Sequence, residues 1–562
     1  FMNTSLLKQK SIFLFFFLFF TASTLVKGQV IISANTNWSA ISPTPTNATT
    51  IEIRNGATLT VNVSNAVCAS IQIGGTAAPG NFGILTFSGA TPQLTVSGDI
   101  QVGGFGNTAR RGTINFTSGS TLIGDALILG STAGTPGELN TVTMTAGGIL
   151  TVNSITFNAN NDDNTITQGA SSTVTVNGPV TINQPSANTT NNNWNVNSGS
   201  ATVSGLISLA GANTTTSRDG SLVITTGTLN ADGGIAIAGT TAATKNINMT
   251  GASSVLNIGG TGISGAANAT FTAGSGTSTV NYNAAGNQAN VANYTYNNLT
   301  ISTSGTKTLL GTTDVNGTLT VKAGTVLAMS TFSITPSATV LECGAVTGSS
   351  VTGSGSFSMQ GNLTVNSVGA GSDGAIINAP VALNGTRVFN VADDGSSASD
   401  LIMNSIISTA NGLTKDGAGT MQLNAANTYN GTTTINAGSV LYNINNAIAT
   451  GAVTVNGGIL DIATFTDAVG TVTLTNGSID GTTGVLTGTS YAMQNGSVSA
   501  ILAGAVNLTK TTAGTVTLSG VNTYTGITAI NAGVLSVSTI GNGGVAGNMG
   551  AATSTATNFV LG

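Results

Sequence analysis

Short runs of alternating apolar and polar residues, broken every few positions by Gly, Asn or Ser, fill the chain almost from end to end. Ile51-Glu-Ile53, Leu59-Thr-Val61-Asn-Val63 and Ile71-Gln-Ile73 follow one another closely. The pattern returns in Ile84-Leu-Thr-Phe87, Leu94-Thr-Val96, Ile114-Asn-Phe116, Val142-Thr-Met144, Val174-Thr-Val176 and Leu222-Val-Ile224. A period of two turns alternate side chains to opposite faces of a strand, and no stretch of about 12 residues carries the 3.6 period of a helix. From Tyr294 to Val340 the strands are more regular, with Gly317 and Gly324 where a corner needs positive φ. Two or three short strands per rung of about 20 residues is the arithmetic of a parallel β-helix. The expectation is an all-β solenoid. Asn188-Thr-Thr-Asn-Asn-Asn-Trp194 reads as a surface loop or as asparagine ladders between rungs.

Composition sharpens this. Only 6% of residues are charged and 5% aromatic, Gly numbers 76, and 40% are hydrophobic. Helix formers are scarce, yet there is enough apolar surface for a substantial core. Lys8 and Lys10 precede the apolar run from Ile12 to Phe20, too short to span a bilayer comfortably, so residues 1–28 read as a secretory signal. Removing them takes Lys8, Lys10 and Lys27 from 13 basic residues and none of the 18 acidic ones, leaving 10 against 18, a net of −8. A sparse acidic surface argues against nucleic acid, and the one adjacent basic pair, Arg110-Arg111, reads as a solvated edge. Cys68 and Cys343, far apart on a linear stack, read as buried free thiols.

Residues 412–441, GLTKDGAGTMQLNAANTYNGTTTINAGSVL, recur 95 positions later at 507–536 with more than half of the matched positions identical. The words Leu413-Thr-Lys415, Gly417-Ala-Gly-Thr420, Asn427-Thr-Tyr429-Asn-Gly431 and Ile435-Asn-Ala-Gly438 resemble the autotransporter-associated β-strand repeat, also called the passenger-associated transport repeat. Leu508-Thr-Lys510, Ala513-Gly-Thr515, Asn522-Thr-Tyr-Thr-Gly526 and Ile530-Asn-Ala-Gly533 match again, with Thr511-Thr512 where Asp416-Gly417 stand. The resemblance covers about 60 residues. It implies a right-handed parallel β-helix in the passenger region of an exported Gram-negative surface protein, with outer-membrane export machinery as a partner. The translocator barrel of such proteins does not follow Gly562, so the chain is expected to be a fragment truncated at its C-terminus. The organisation expected is a signal at 1–28, an N-terminal cap with first rungs at 29–75 including Trp38, an irregular solenoid at 76–400, and a solenoid with both repeats at 401–562.

Candidate chemistry is thin. The chain has no histidine, which removes His-based triads, general bases and metal sites. Asp162-Asp163 and Asp393-Asp394 are the carboxylate pairs that a polysaccharide-degrading β-helix or a calcium site would draw on, but each stands in an Asn- or Gly-rich turn and reads as solvated. Gly104-Phe-Gly106-Asn-Thr-Ala109 fits a dinucleotide fingerprint without the helix that must follow, and is set aside as coincidence. Lys415, Lys510, Tyr429 and Tyr524 read as structural, Tyr along the outside of a rung and Lys blunting an exposed strand. Thr58-Leu-Thr60, Thr141-Val-Thr143-Met-Thr145, Thr318-Leu-Thr320, Thr471-Val-Thr473-Leu-Thr475 and Thr515-Val-Thr517 suggest the flat threonine face of ice-binding solenoids, but they recur at irregular intervals, which predicts against it. No catalytic, cofactor or metal residue is assigned. The reading is a secreted or surface-displayed structural or adhesive protein, with glycans or proteins of a host or environment as binding targets. Its alternative is a secreted polysaccharide-binding or polysaccharide-degrading β-helix.

Overall fold

A computed structural model describes residues 28–562 except 76–80, 104–109, 132–138, 160–161, 186–189, 212–218, 240–244, 345–346 and 372. The signal segment and the Gly104–Ala109 motif therefore lie outside the described residues. Short strands pair in parallel with their counterparts one turn earlier and one turn later, building a β-solenoid of stacked coils. In the first half each turn visits three sheets in order. The first sheet runs from Gln29–Ile32 through Thr50–Ile53 and Ala126–Leu129 to Ile263–Ser264. The second runs from Thr36–Asn37 through Arg110–Asn115 and Leu139–Met144 to Thr270–Thr272. The third carries Gln93–Val96, Thr121–Ile123 and Gly148–Val152, and continues into the second half. There, strands such as Thr313–Val321 and Val453–Asp461 run on round a corner, with a register shift where they bend.

The alternating pattern is what fills the interior. Leu122, Leu150, Val174, Ala201, Leu229, Leu256, Val280, Leu299 and Leu319 stack one on the next along the third sheet. All are buried. Each large aliphatic in such a column contributes about 1.5–3 kcal/mol of burial, while its backbone is paired on both sides. Some polar residues at inward positions are joined in ladders. Asn140 Nδ2 donates to Asn164 Oδ1 (3.0 Å), and Asn164 Nδ2 donates to Asn192 Oδ1 (2.7 Å). The asparagine-rich stretch before Trp194 is thus a strand, Asn191–Val196, with Asn192 in an interior ladder.

Turn length is not uniform. Asn257 donates to Asn230, 27 positions earlier, but Asn456 donates to Asn436, only 20 earlier. The change falls near an aromatic group: the half-buried Phe271 and Tyr294 stack at 4.6 Å, and the buried Tyr282 and Tyr296 hydroxyls meet at 3.0 Å. In the long-turn half the first-sheet strand Ala126–Leu129 is followed by its next second-sheet strand only at Leu139. Irregular spacing in sequence therefore coexists with regular register in the sheets. Thr58, Thr60, Thr141 and Thr143 fall in two outward columns of the second sheet, whereas Thr318, Thr320, Thr471, Thr473, Thr475, Thr515 and Thr517 lie on strands outside it.

Two further expectations change, those for Arg110 and for the repeat lysines and tyrosines. Arg111 is exposed but Arg110 is buried, so the pair is not a solvated edge. Trp38 is buried in a single 3-10 turn, Trp38–Ala40, beside the first coils. Lys415, Lys510, Tyr429 and Tyr524 all point inward and are fully buried. Cys68 and Cys343 are buried and unpaired. Among the described residues no helix is long and apolar enough to cross a membrane.

Candidate functional site

The repeated words place several polar side chains in the core. Leu413–Asp416 and Thr420–Leu423 are successive strands of the sheet that continues through the second half, and Thr433–Ile435 pairs with Leu413–Asp416 one turn later. Lys415 shares the inward phase of Leu413, so its stem crosses the core. Its ammonium donates to the carbonyls of Asp416 (2.8 Å), Gly417 (2.8 Å) and, from the next turn, Ala437 (3.1 Å). A sharp corner leaves carbonyls that no strand can pair, and the lysine supplies the missing donors. Burial pulls its pKa down to about 8, with Asp400 and Asp416 acting in the opposite direction. Lys510 reaches the Thr512 carbonyl and the Ala532 carbonyl in the same way. The two lysines occupy one column, which runs Lys415, Ile435, Val455, Leu474, Met493, Lys510. The 95-residue shift is five whole turns.

The Asn-Thr-Tyr word is a second clamp. Asn427 Oδ1 accepts from the Ile407 backbone N–H (2.7 Å) and its Nδ2 donates to the Ala447 carbonyl (2.6 Å), so one side chain joins three successive turns. Asn522 does the same with Leu502 N–H (2.8 Å) and the Asn548 carbonyl (2.7 Å). Tyr429 Oη meets Thr433 Oγ1 at 2.7 Å, and Tyr524 Oη meets Thr528 Oγ1 at 2.8 Å. These hydrogen bonds are turned into the rod, not toward a ligand.

The carboxylate pairs are likewise committed to structure, and Asp162 and Asp394 are buried rather than solvated as their turns suggested. Asp162 is buried, takes the Ser131 N–H at 3.1 Å, and burial raises its pKa. Asp163 accepts from Asn191 N–H at 2.6 Å. Asp393 is exposed and caps Gly395 N–H at 2.7 Å, while Asp394 is buried. Burial pushes the Asp394 pKa up, but hydrogen bonds from Ser397 and Ser396 outweigh it and hold the carboxyl below its usual value. Asp394 lies with Asp400 and the Cys343 thiol within 4.8 Å of one another. Asp400 takes Asp394 N–H (2.9 Å) and Thr420 N–H (2.8 Å), so its oxygens are engaged. Burial raises both the Asp400 carboxyl and the Cys343 thiol, the latter to about 11, which leaves the thiol protonated and a poor metal ligand. The arrangement joins turns and offers no open, charged cleft.

The family model described as the passenger-associated transport repeat matches residues 413–441 and 508–537. These two segments, about a tenth of the chain, carry the passenger-associated transport repeat. A stretch of 58 residues, 10% of the chain, is 43% identical to the adhesin BmaC autotransporter of Brucella suis biovar 1 (strain 1330). It spans 2% of that protein's length. No solved structure matches. The geometry accounts for the transport-repeat words: lysine closes the corner, asparagine ties three turns, and tyrosine locks onto the threonine that begins the next strand. Lys307, outside both transport repeats, makes the same clamp, donating to Ala284 O (2.6 Å), Gly286 O (2.5 Å) and Ser304 O (2.8 Å). Sequence reading missed it, although its phase with Leu309 in Gly305–Leu309 marks it as inward.

Proposed function

We propose that the chain is an exported β-helical passenger that acts by surface display or adhesion, without catalysis, at the envelope of a Gram-negative bacterium. The observation that carries this reading is the destination of its polar residues. The transport-repeat lysines, asparagines and tyrosines are spent on joining turns, and both sequence-predicted carboxylate pairs cap backbone N–H groups. A rod whose chemistry is turned inward offers its length and its faces. The likeness to a segment of an autotransporter adhesin supports the same reading, and outer-membrane export machinery is the partner it implies. Binding targets are glycans or proteins outside the cell. The test is a glycan and host-protein array with the purified chain, run beside a depolymerisation screen on acidic polysaccharides. Binding without turnover is expected. Turnover that disappears in Asp162→Asn or Asp394→Asn, with the circular dichroism unchanged, would replace this reading with that of a degrading enzyme.

A further inference from the structure

A third polar side chain stands on the line of the two asparagine clamps. From Asn427 the line passes through Ala447 and Ile448 to Asp467, then through Leu486 and Leu502 to Asn522. Asp467 is 3% exposed and lies in Thr466–Ala468, which pairs with Val485–Thr487, itself paired with Ile501–Ala503. Like the asparagines it accepts a backbone N–H from the preceding coil, that of Ile448 at 3.0 Å on Oδ2. Each asparagine also donates to the following coil, and an ionised aspartate has nothing to donate. Its Oδ1 is buried without a hydrogen-bond partner, and so is Tyr442 Oη, which faces it.

Tyr442 and Tyr429 are the titratable groups turned toward Asp467, and burial raises the pKa of both. The strands paired beside it, Val485–Thr487 and Ile501–Ala503, carry no titratable residue, nor does the segment 446–450. Asp461 is spent on Ala463 N–H (2.8 Å), and neither ion pair of the described residues involves Asp467. Burial opposes a charge here more strongly than Tyr442 and Ile448 N–H offset it, so the carboxyl is held above its ordinary pKa. A cleft lined by Asn427, Thr428, Asn446, Thr450 and Asp467 opens beside this point and gives protons a route from solvent. We propose that Asp467 is an acid-closed clamp, which ties the coils between the two transport repeats when protonated and loosens them when ionised. Protonation removes the buried charge and turns a carboxyl oxygen into the donor that an asparagine amide supplies. Because the folded carboxyl titrates above the ordinary value of 3.8, this stability is fully present below 3.8 and is lost as pH rises through the folded value. Asn427 and Asn522 do not titrate, so one acid-sensitive stage is set between two permanent ones. The clamp goes beyond the display reading and does not depend on it, since it concerns the purified rod.

The test is hydrogen exchange on the full chain at about pH 5 and about pH 8, with rates corrected for the intrinsic pH dependence of exchange. In the wild type, protection of Thr466–Ala468, Val485–Thr487 and Ile501–Ala503 is expected to fall at least about five-fold at the higher pH. Protection of the distant strand Thr228–Ala231 is expected to stay the same. Asp467→Asn keeps the shape and the Ile448 contact, and is expected to hold the lower-pH protection at both values. Asn427→Asp is expected to bring the same pH response to its own coil, read at Ile407–Ser408. Far-UV circular dichroism checks that both variants keep their strands. Equal protection of the three wild-type strands at the two pH values overturns the proposal, as does a pH response that persists in Asp467→Asn. Loss of protection along the whole rod at the higher pH assigns the effect to other buried carboxyls, such as Asp162 and Asp400, and overturns it as well.

Discussion

Lys415 shows how one residue can be read twice. As a cation in a Gly-rich repeat it suggests an exposed charge, but as the partner of Leu413 in a period-two strand it must point inward. The second rule wins because the corner needs donors that only a long cationic side chain brings to three carbonyls. Lys415→Met is expected to lower unfolding stability by about 3 kcal/mol, since it leaves those carbonyls buried and unpaired, while Thr414→Ala on the outward side changes it by less than about 0.5 kcal/mol. Urea titration of the two variants checks this. The same residue sets a pH dependence. Its pKa is about 8 when folded, against the ordinary lysine value of 10.5. Between these values the unfolded chain holds a proton the native rod has lost, so stability rises with pH from about 8 to 10.5 and this contribution is absent below 8. The slope is expected to flatten in Lys415→Met, measured by denaturation midpoints across that window.

At the scale of elements, the strands were legible and the corners were not. Apolar alternation identified Leu94–Thr–Val96 or Val174–Thr–Val176 directly, because burial of one face is a local property. The corners depend on what the turn below places against them. Gly417 has φ +78°, and a Cβ there would lie 2.3 Å from the Val391 carbonyl of the preceding turn. Gly417→Ala is expected to cost about 2 kcal/mol, more than its left-handed backbone alone would explain, and the urea midpoint measures it. The second repeat carries Thr512 at the matching position, so its corner takes a different path: Thr512 Oγ1 donates to the Gln494 carbonyl at 2.7 Å. The carboxylate turns misled for a related reason. Asp162 and Asp394 look solvated along the sequence, and it is the adjacent coil or loop that buries them.

At the scale of the molecule, each coil touches chiefly the one before and the one after, so damage should stay local. Asn164→Leu breaks the interior ladder between Asn140 and Asn192. Hydrogen exchange is expected to accelerate in the strands from Arg110–Asn115 to Asn191–Val196 and to remain unchanged around Thr515–Leu518. Acceleration over the whole rod would mean that the solenoid unfolds as one cooperative unit.

The amino-acid sequence by itself determined the fold class, the inward set of aliphatic residues and the transport repeats, because alternation, turn residues and a 95-residue identity are all properties of neighbours along the chain. Tertiary structure decided which turn lies on which. Register put Lys415 and Lys510 in one column and brought Asp394, Asp400 and Cys343 together. The physical reason is that the loops absorb differences in length while the backbone ladder does not. A parallel coil tolerates extra residues at a corner, but its hydrogen bonds fix every strand against the one below.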